Sequence, residues 1–141
     1  MGLKVYTGGT FDLFHAGHVE FLRKCSRYGR VVVSLNTDEF IKEYKGSAPV
    51  MNYHERKTVL EACRYVDEVI PNHGGVDSRP SISAIMPDII IIGSDWAVRD
   101  YHKQMGFTQE WLDKRNIALC YVPYTAGISS TEVKKRLLAV K

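Results

Sequence analysis

The stretch from Gly8 to His18, with the sequence GGTFDLFHAGH, constrains the fold most, because it joins a short apolar run at residues 5–7 to an amphipathic helix. Two adjacent glycines allow the backbone to turn and to approach a ligand closely. The first turn of the helix leaves N–H groups unpaired at the positive end of the helix dipole, which favours a phosphate. His15 and His18 are three residues apart, so they lie on one helical face. The stretch therefore predicts a strand, a glycine turn and a helix start that together form an anion site.

Four further apolar runs follow, at residues 30–35, 66–71, 88–93 and 117–122, with segments of helical periodicity between them. Continuous runs of this kind are typical of parallel strands that are covered on both faces. A chain of 141 residues with 45% hydrophobic residues has the size of one domain with a substantial core. We therefore predict an α/β fold in a single domain, residues 1–141, with a Rossmann-like, doubly wound, five-stranded parallel sheet and helices on both faces.

Local patterns also predict where helices end and which way they face. Gly29 is expected to stop the first helix at its C-terminus. A capping box at Ser129 opens the last helix. In that helix Val133, Leu137 and Val140 recur at helical spacing, so they are predicted to face the core.

Composition and charge exclude several classes of function. A net charge of +3 is too small to predict binding to nucleic acid or to a membrane surface. No run of 18 apolar residues is present, and the N-terminus does not resemble a secretory signal, so we predict a cytoplasmic protein without a membrane span. Cys25, Cys63 and Cys120 are odd in number and far apart, which predicts free thiols and no protein-bound metal.

The string from Gly8 to His18 resembles the G-x-F-D-x-x-H-x-G-H signature of the cytidylyltransferase-like nucleotidyltransferases, and of the glycerol-3-phosphate cytidylyltransferases in particular. The similarity continues in the same order through four blocks, NTDEF at 36–40, RYVDEVIP at 64–71, GSDW at 93–96 and GISST at 127–131. The resemblance implies the strand order 3-2-1-4-5. The exits of the first and fourth strands would then share one crevice.

The resemblance also implies roles for individual residues. Those expected to act in catalysis are His15, His18 and Lys45. Those expected to bind the nucleotide are Gly9, Thr10, Phe11, Asp95, Trp96, Gly127, Ile128, Ser129, Ser130 and Thr131. Those expected to bind the second substrate are Asp12, Asp38, Arg56, Arg64, Asp67, His73 and Tyr124.

The implied reaction is the transfer of CMP from CTP to a phosphorylated alcohol such as glycerol 3-phosphate, with release of pyrophosphate. Mg²⁺ is expected to arrive with the nucleoside triphosphate, and the resemblance also implies a homodimer. A phosphate monoester is already an anionic nucleophile at neutral pH, so such a site needs positioning and charge stabilisation and no strong general base.

The chain departs from the family pattern in two places. It reads YTAGISS from Tyr124, where the glycerol-3-phosphate enzymes read RTEGIST, and tyrosine lacks the permanent charge of arginine. Residues 97–116 form a segment roughly ten residues longer than in the shorter cytidylyltransferases that the chain resembles, with a helix predicted at 108–115. We expect Arg99 or Lys103 of this segment to supply the missing charge.

Two alternative functions remain open at this point. The first is an adenylyltransferase of the same superfamily, with a sugar phosphate, FMN or phosphopantetheine as the acceptor, and the element KGSAP from Lys45 is compatible with it. The second is a regulatory module that binds a nucleotide without catalysis, although both histidines and Lys45 are present.

Overall fold

Strands and helices alternate along the chain in the computed structural model, which describes residues 2–72, 74–94, 100–124 and 127–140. The strands are β1 (Leu3–Gly9), β2 (Gly29–Leu35), β3 (Glu68–Pro71), β4 (Ile89–Gly93) and β5 (Ala118–Val122). The helices are α1 (Ala16–Ser26), α2 (Asp38–Lys45), α3 (Tyr53–Ala62), α4 (Arg79–Ile85), α5 (Tyr101–Met105), α6 (Gln109–Lys114) and α7 (Ser130–Ala139).

The strands form one parallel sheet in the order β3-β2-β1-β4-β5. The predicted fold class and strand order are therefore confirmed. Strand β1 lies between β2 and β4, with Val5 opposite Val31 on one side and Ile89 on the other. The strand order reverses between β1 and β4, and a ligand crevice is expected at the carboxyl ends of the strands there.

Two hydrophobic cores cover the two faces of the sheet, because consecutive strand residues point to opposite faces. On the first face Val5 packs with Leu22 of α1 and Leu60 of α3. On the second face Tyr6 packs with residues of α4, α5 and α6, among them Ile82 and Leu112. Each face buries fully inaccessible side chains, so the sheet is held rigidly between two helical layers.

The glycines near β1 and β2 have different roles from those predicted. Gly8 and Gly9 continue β1 and pair with β2, so they do not form the turn. The turn follows them, and Phe11 and Leu13 adopt the left-handed conformation there, at φ 51° and 52°. Helix α1 ends before Gly29, which instead opens β2, where a side chain would overlap the Leu3 carbonyl. Left-handed backbone is strained in residues with bulky side chains and is concentrated at functional sites, so the turn at Phe11 and Leu13 is a candidate site element.

The last helix was predicted to pack on the core, and this prediction is wrong. None of the residues of α7 is buried, and the exposed fractions of Leu137 and Val140 are 61% and 74%. Helical periodicity shows that one face of a helix is apolar, but it does not show what covers that face.

The extra segment forms two short helices, of which α6 was predicted and α5 was not. Thr108 caps α6 by accepting a hydrogen bond from the Trp111 N–H. Tyr101 of α5 is buried in the second core. In the part of the chain that the structure describes, no helix is both long and apolar enough to cross a membrane.

Candidate active site

A cavity of about 610 Å³ opens at the carboxyl edge of the sheet, where β1 and β4 end. Its position matches the crevice expected at the reversal of strand order. Many of the predicted site residues line it: Gly9, Thr10, Phe11, His15, His18, Lys45, Tyr124, Ile128, Ser129 and Ser130. The fold thus brings residues from both ends of the chain to one place.

The two histidines cap helix α1 reciprocally. His15 is the N-cap residue, and its Nδ1 accepts a hydrogen bond from the Gly17 N–H at 3.1 Å. The Nδ1 atom of His18 accepts one from the His15 N–H, also at 3.1 Å. Both Nδ1 atoms are therefore acceptors, so each neutral ring carries its proton on Nε2. Each imidazole thus keeps an Nε2–H donor that has no partner among the described residues.

The same arrangement disfavours the charged form of both rings. The rings of His15 and His18 stack with their centroids 3.8 Å apart. Burial lowers the pKa of His18 to about 3, with the neighbouring His15 adding to the effect and Asp12 opposing it. Burial also lowers the pKa of His15, and the charge of Arg136 lowers it further. The site therefore offers two neutral hydrogen-bond donors at neutral pH.

The N-termini of α1 and α7 lie next to each other at this cavity. Ser129 caps α7 by accepting from the Glu132 N–H, and the Ser130 hydroxyl donates to the Asp12 carbonyl at 2.6 Å. A Cβ placed on Gly17 would come within 2.9 Å of the Ile128 side chain, so the two helix starts are in close contact. Two positive helix ends beside one cavity favour an anion with more than one phosphate group.

Asp12 positions the loop that follows α2. Its carboxylate accepts hydrogen bonds from the backbone N–H groups of Leu13, Val50 and Met51, at 3.1, 2.8 and 2.9 Å. The carboxylate is thereby occupied with the protein itself. Asp12 was predicted to contact substrate, and the structure gives it the role of holding the loop against the turn after β1.

Arg56 is a buried hub that joins the loops around the cavity. Its guanidinium donates to the carbonyls of Thr10, Asn36 and Met51, each at 2.9 Å, and to the Asp38 carboxylate at 2.6 Å. The Arg56 side chain is fully inaccessible to solvent. Arg56 and Asp38 were also predicted to bind substrate. In the structure both residues instead hold loops together.

Lys45 ends α2 and lines the cavity with an exposed side chain. Gly46 follows in the left-handed conformation, at φ 81°, and so terminates the helix at this lysine. Among the described lining residues, Lys45 alone is a lysine or arginine. It is therefore placed to approach a phosphate.

Some predicted residues do not join this cluster. Arg64 and Asp67 precede β3, and the Asp67 carboxylate accepts from the Val31 N–H near the start of β2, so both lie at the opposite edge of the sheet. Gly127 and Thr131 are exposed and do not line the cavity. His73, Asp95 and Trp96 lie outside the described residues. Arg64 and Asp67 are therefore not among the residues that line the cavity.

Arg99 and Lys103 were expected to supply the charge of the family arginine that Tyr124 replaces. Arg99 lies outside the described residues. Lys103 is exposed on α5 and is not among the residues that line the cavity. Tyr124 itself lines the cavity, with its ring against Gly93, where a Cβ would overlap it.

Sequence reasoning missed several residues of the site. Arg136 is near enough to His15 to lower its pKa, and it stands seven residues after the N-cap Ser129. That spacing returns to the same helical face, so the pattern could have indicated it. Tyr6 and the α5 residues Gln104 and Met105 also line the cavity. Their approach depends on long-range packing, for which the sequence holds no local signal.

Comparisons with known proteins found relatives that cover most of this chain. The family model described as cytidylyltransferase-like matches residues 6–136. A glycerol-3-phosphate cytidylyltransferase of Staphylococcus aureus is 34% identical over 135 residues, which cover 95% of this chain and 94% of that protein. An FAD synthase of Pyrococcus horikoshii is 39% identical over 94 residues, covering 66% of this chain and 64% of that protein.

A solved structure supports the fold. The crystal structure of a lipopolysaccharide core biosynthesis protein from Thermoplasma volcanium superposes with a TM-score of 0.71 at 24% identity, and it covers 89% of this chain and 100% of the other. The match of the family model over nearly the whole chain and the extent of the S. aureus similarity establish the relationship. The chain belongs to the cytidylyltransferase-like family.

Proposed function

We propose that this chain transfers CMP from CTP to a phosphorylated alcohol, with glycerol 3-phosphate as the first candidate, and releases pyrophosphate. One observation carries the proposal: two neutral imidazoles and the N-termini of α1 and α7 converge on one cavity. Such a site is suited to an anion whose charge is redistributed during reaction. The similarity to the S. aureus glycerol-3-phosphate cytidylyltransferase supports the choice of acceptor.

In the proposed reaction an oxygen of the acceptor phosphate attacks the α-phosphorus of CTP in line. A new P–O bond forms, and the bond from the α-phosphorus to the oxygen bridging to the β-phosphorus breaks, so that pyrophosphate leaves with that electron pair. His15 and His18 would donate their Nε2–H groups to the oxygens on which charge accumulates. Catalysis then rests on positioning and on preorganised donors, with no proton to remove from the nucleophile.

Three further elements of the protein would balance the negative charge of the phosphates. The start of α7 would bind the β- and γ-phosphates, Lys45 would approach from the end of α2, and Arg136 would contribute its charge near His15. Mg²⁺ enters the proposal as part of the substrate, bound to triphosphate oxygens, which are hard ligands of the kind that it prefers. Among the described residues no group of three or more His, Cys, Asp or Glu side chains is placed to hold a metal ion.

CTP is expected to be the preferred nucleotide. The test measures pyrophosphate release for CTP, ATP, GTP and UTP, each with glycerol 3-phosphate, phosphoethanolamine, phosphocholine, sugar phosphates, FMN and phosphopantetheine. We expect the highest kcat/KM for CTP with a phosphorylated alcohol, because the similarity to the S. aureus enzyme extends over 95% of the chain.

Two other results of this experiment are informative. A clear preference for ATP would assign the chain to adenylyl transfer, the activity suggested by its similarity to the P. horikoshii FAD synthase. Binding of a nucleotide without pyrophosphate release from any pair would indicate the regulatory module.

A homodimer in the cytoplasm is part of the same proposal. The end of α7 exposes Leu137, Leu138 and Val140, which is apolar surface of a kind that oligomers bury. Light scattering of the purified protein is expected to give twice the chain mass of 16.0 kDa. A concentration-independent mass equal to that of one chain would contradict this prediction.

A further inference from the structure

Helix α5 forms a side of the cavity that has no role in the proposed reaction. Gln104 and Met105 of α5 form its wall. Helix α5 is anchored through Tyr101, which is buried in the second core, and residues three and four positions later lie on the same helical face. The extra segment therefore contributes a wall to the cavity and is not simply a solvated excursion.

Gln104 presents an unpaired amide to this side of the cavity. Its backbone N–H bonds to the Asp100 carbonyl within the helix, but its side-chain amide has no hydrogen-bond partner among the described residues. The side chain is only partly exposed. A primary amide offers both donors and an acceptor, which is the pattern that a hydroxyl group complements.

The floor on this side is also polar and uncharged. Tyr6 lines the cavity from β1, and its buried hydroxyl lies next to the buried Ser34 hydroxyl and beside Gly8. Burial raises the pKa of Tyr6 to about 12, with the neighbouring Ser34 hydroxyl opposing the shift, so the phenol stays protonated. An apolar group placed against buried hydroxyls offers them no hydrogen bond, which is costly, so this floor is unsuited to an apolar group.

No aspartate or glutamate is among the described residues that line the cavity. The Asp12 carboxylate near His18 already accepts three backbone hydrogen bonds, and Asp77, Glu39 and Glu43 line a neighbouring groove, where Asp77 pairs with Arg79. A cationic group entering the cavity would give up its hydration without a paired charge, which is costly. The chemistry of the lining therefore favours a neutral, hydroxyl-bearing group.

We propose that Gln104 binds a hydroxyl of the acceptor alcohol, so that the acceptor is a neutral polyol phosphate and not an amino-alcohol phosphate. This inference rests on the proposed function, because it places the acceptor phosphate at His15 and His18 and the alcohol toward α5. The extra segment then acts in the choice of acceptor, while the nucleotide is held by the turn after β1 and by the start of α7.

The test is calorimetric binding to the whole chain, with an unreactive CTP analogue present, of glycerol 3-phosphate and of propyl phosphate, which lacks both hydroxyls. Wild type is expected to bind glycerol 3-phosphate more tightly. Gln104→Met keeps the length of the side chain and removes its hydrogen bonds, so its affinity for glycerol 3-phosphate should fall about three- to tenfold while that for propyl phosphate stays the same. Gln104→Glu should shift the preference toward phosphoethanolamine.

Gln109→Met is the matched control, because Gln109 lies on α6, outside the cavity, with its amide bonded to His102 and Asp113. It should bind all ligands like wild type. The inference is overturned if Gln104→Met binds both phosphates as wild type does, if only the affinity for the CTP analogue changes, or if wild type binds phosphoethanolamine more tightly than glycerol 3-phosphate. Binding needs no turnover, so a failure of the proposed function, seen as absent pyrophosphate release, is distinguishable from a failure of this inference.

Discussion

Replacing His15 or His18 with alanine is expected to lower kcat at least about 100-fold, the usual effect of removing one preorganised donor that stabilises developing charge. Both rings line the cavity and each keeps an Nε2–H donor, because the Nδ1 atoms accept backbone hydrogen bonds. Pyrophosphate release under saturating substrates measures the effect. Turnover close to that of wild type in either variant would contradict the proposed mechanism.

The alanine variants also remove a helix cap, so a second pair of variants separates the two effects. Asparagine at an N-cap and glutamine at the third helical position both preserve capping. His15→Asn and His18→Gln should therefore keep the melting temperature of wild type while losing as much activity as the alanine variants. His54→Ala is the matched control, since His54 is exposed on α3 and does not line the cavity. Full activity in the two cap-preserving variants would mean that the histidines act only as caps.

The lowered pKa values of the histidines give a distinct expectation for the pH dependence. A catalytic imidazolium would lose activity as the pH rises through its pKa, whereas two rings whose pKa values are lowered keep their Nε2–H donors as the pH rises above the ordinary histidine value of about 6.5. The stability of the fold changes in the opposite direction and is lost as the pH falls. Below about pH 6.5 the unfolded chain binds a proton on His18 that the folded chain, with a pKa of about 3, does not bind, so the free energy of unfolding falls as the pH decreases.

The fold could be predicted from the sequence because its signals are local and repeated. Apolar strand runs alternate with helical periodicity, and that alternation leads to a parallel sheet whatever the details of packing. The prediction failed where the outcome depends on long-range contacts. The apolar face of α7 correctly predicted a helix but wrongly predicted that this face packs on the core. Helix α5 is too short for its periodicity to be recognised in the sequence.

The residues of the candidate site also divide into those that a local sequence signal identifies and those that depend on long-range contacts. His15 and His18 could be located because they belong to a contiguous signature, and Lys45 could be located from the resemblance to the family. The tautomers of the two histidines could not be predicted, because they follow from a reciprocal cap that only the folded backbone defines. Arg56 was expected at the substrate for its charge, and its burial depends on acceptors from three separate loops. A sequence pattern shows that a cation is present but not which atoms surround it.

Arg56→Ala is expected to destabilise the protein by about 1–3 kcal/mol, the usual cost of leaving buried acceptors without their donor, since the Asp38 carboxylate is 36% exposed and solvent compensates much of the lost ion pair. The substitution leaves Asp38 without its partner and three carbonyls without their donor. Arg56→Lys should recover only part of the loss, since a single ammonium cannot reach acceptors that the planar guanidinium spans. The free energy of unfolding from urea titration measures both effects.

Arg23→Ala provides the matched control, because the Arg23–Glu20 pair has the same 2.6 Å separation as the Arg56–Asp38 pair but lies on the exposed surface of α1. An exposed pair is screened by solvent and adds little to stability, so this variant should unfold like wild type. Equal losses in Arg23→Ala and Arg56→Ala would show that burial and the shared carbonyls are not the cause. The loss of Arg56 should also reduce kcat in the fraction of Arg56→Ala that remains folded. Arg56 joins Thr10, Asn36 and the loop after Lys45, so its removal would misplace the phosphate-binding turn. Arg56 would then be a positioning residue, which acts on the reaction without touching the substrate.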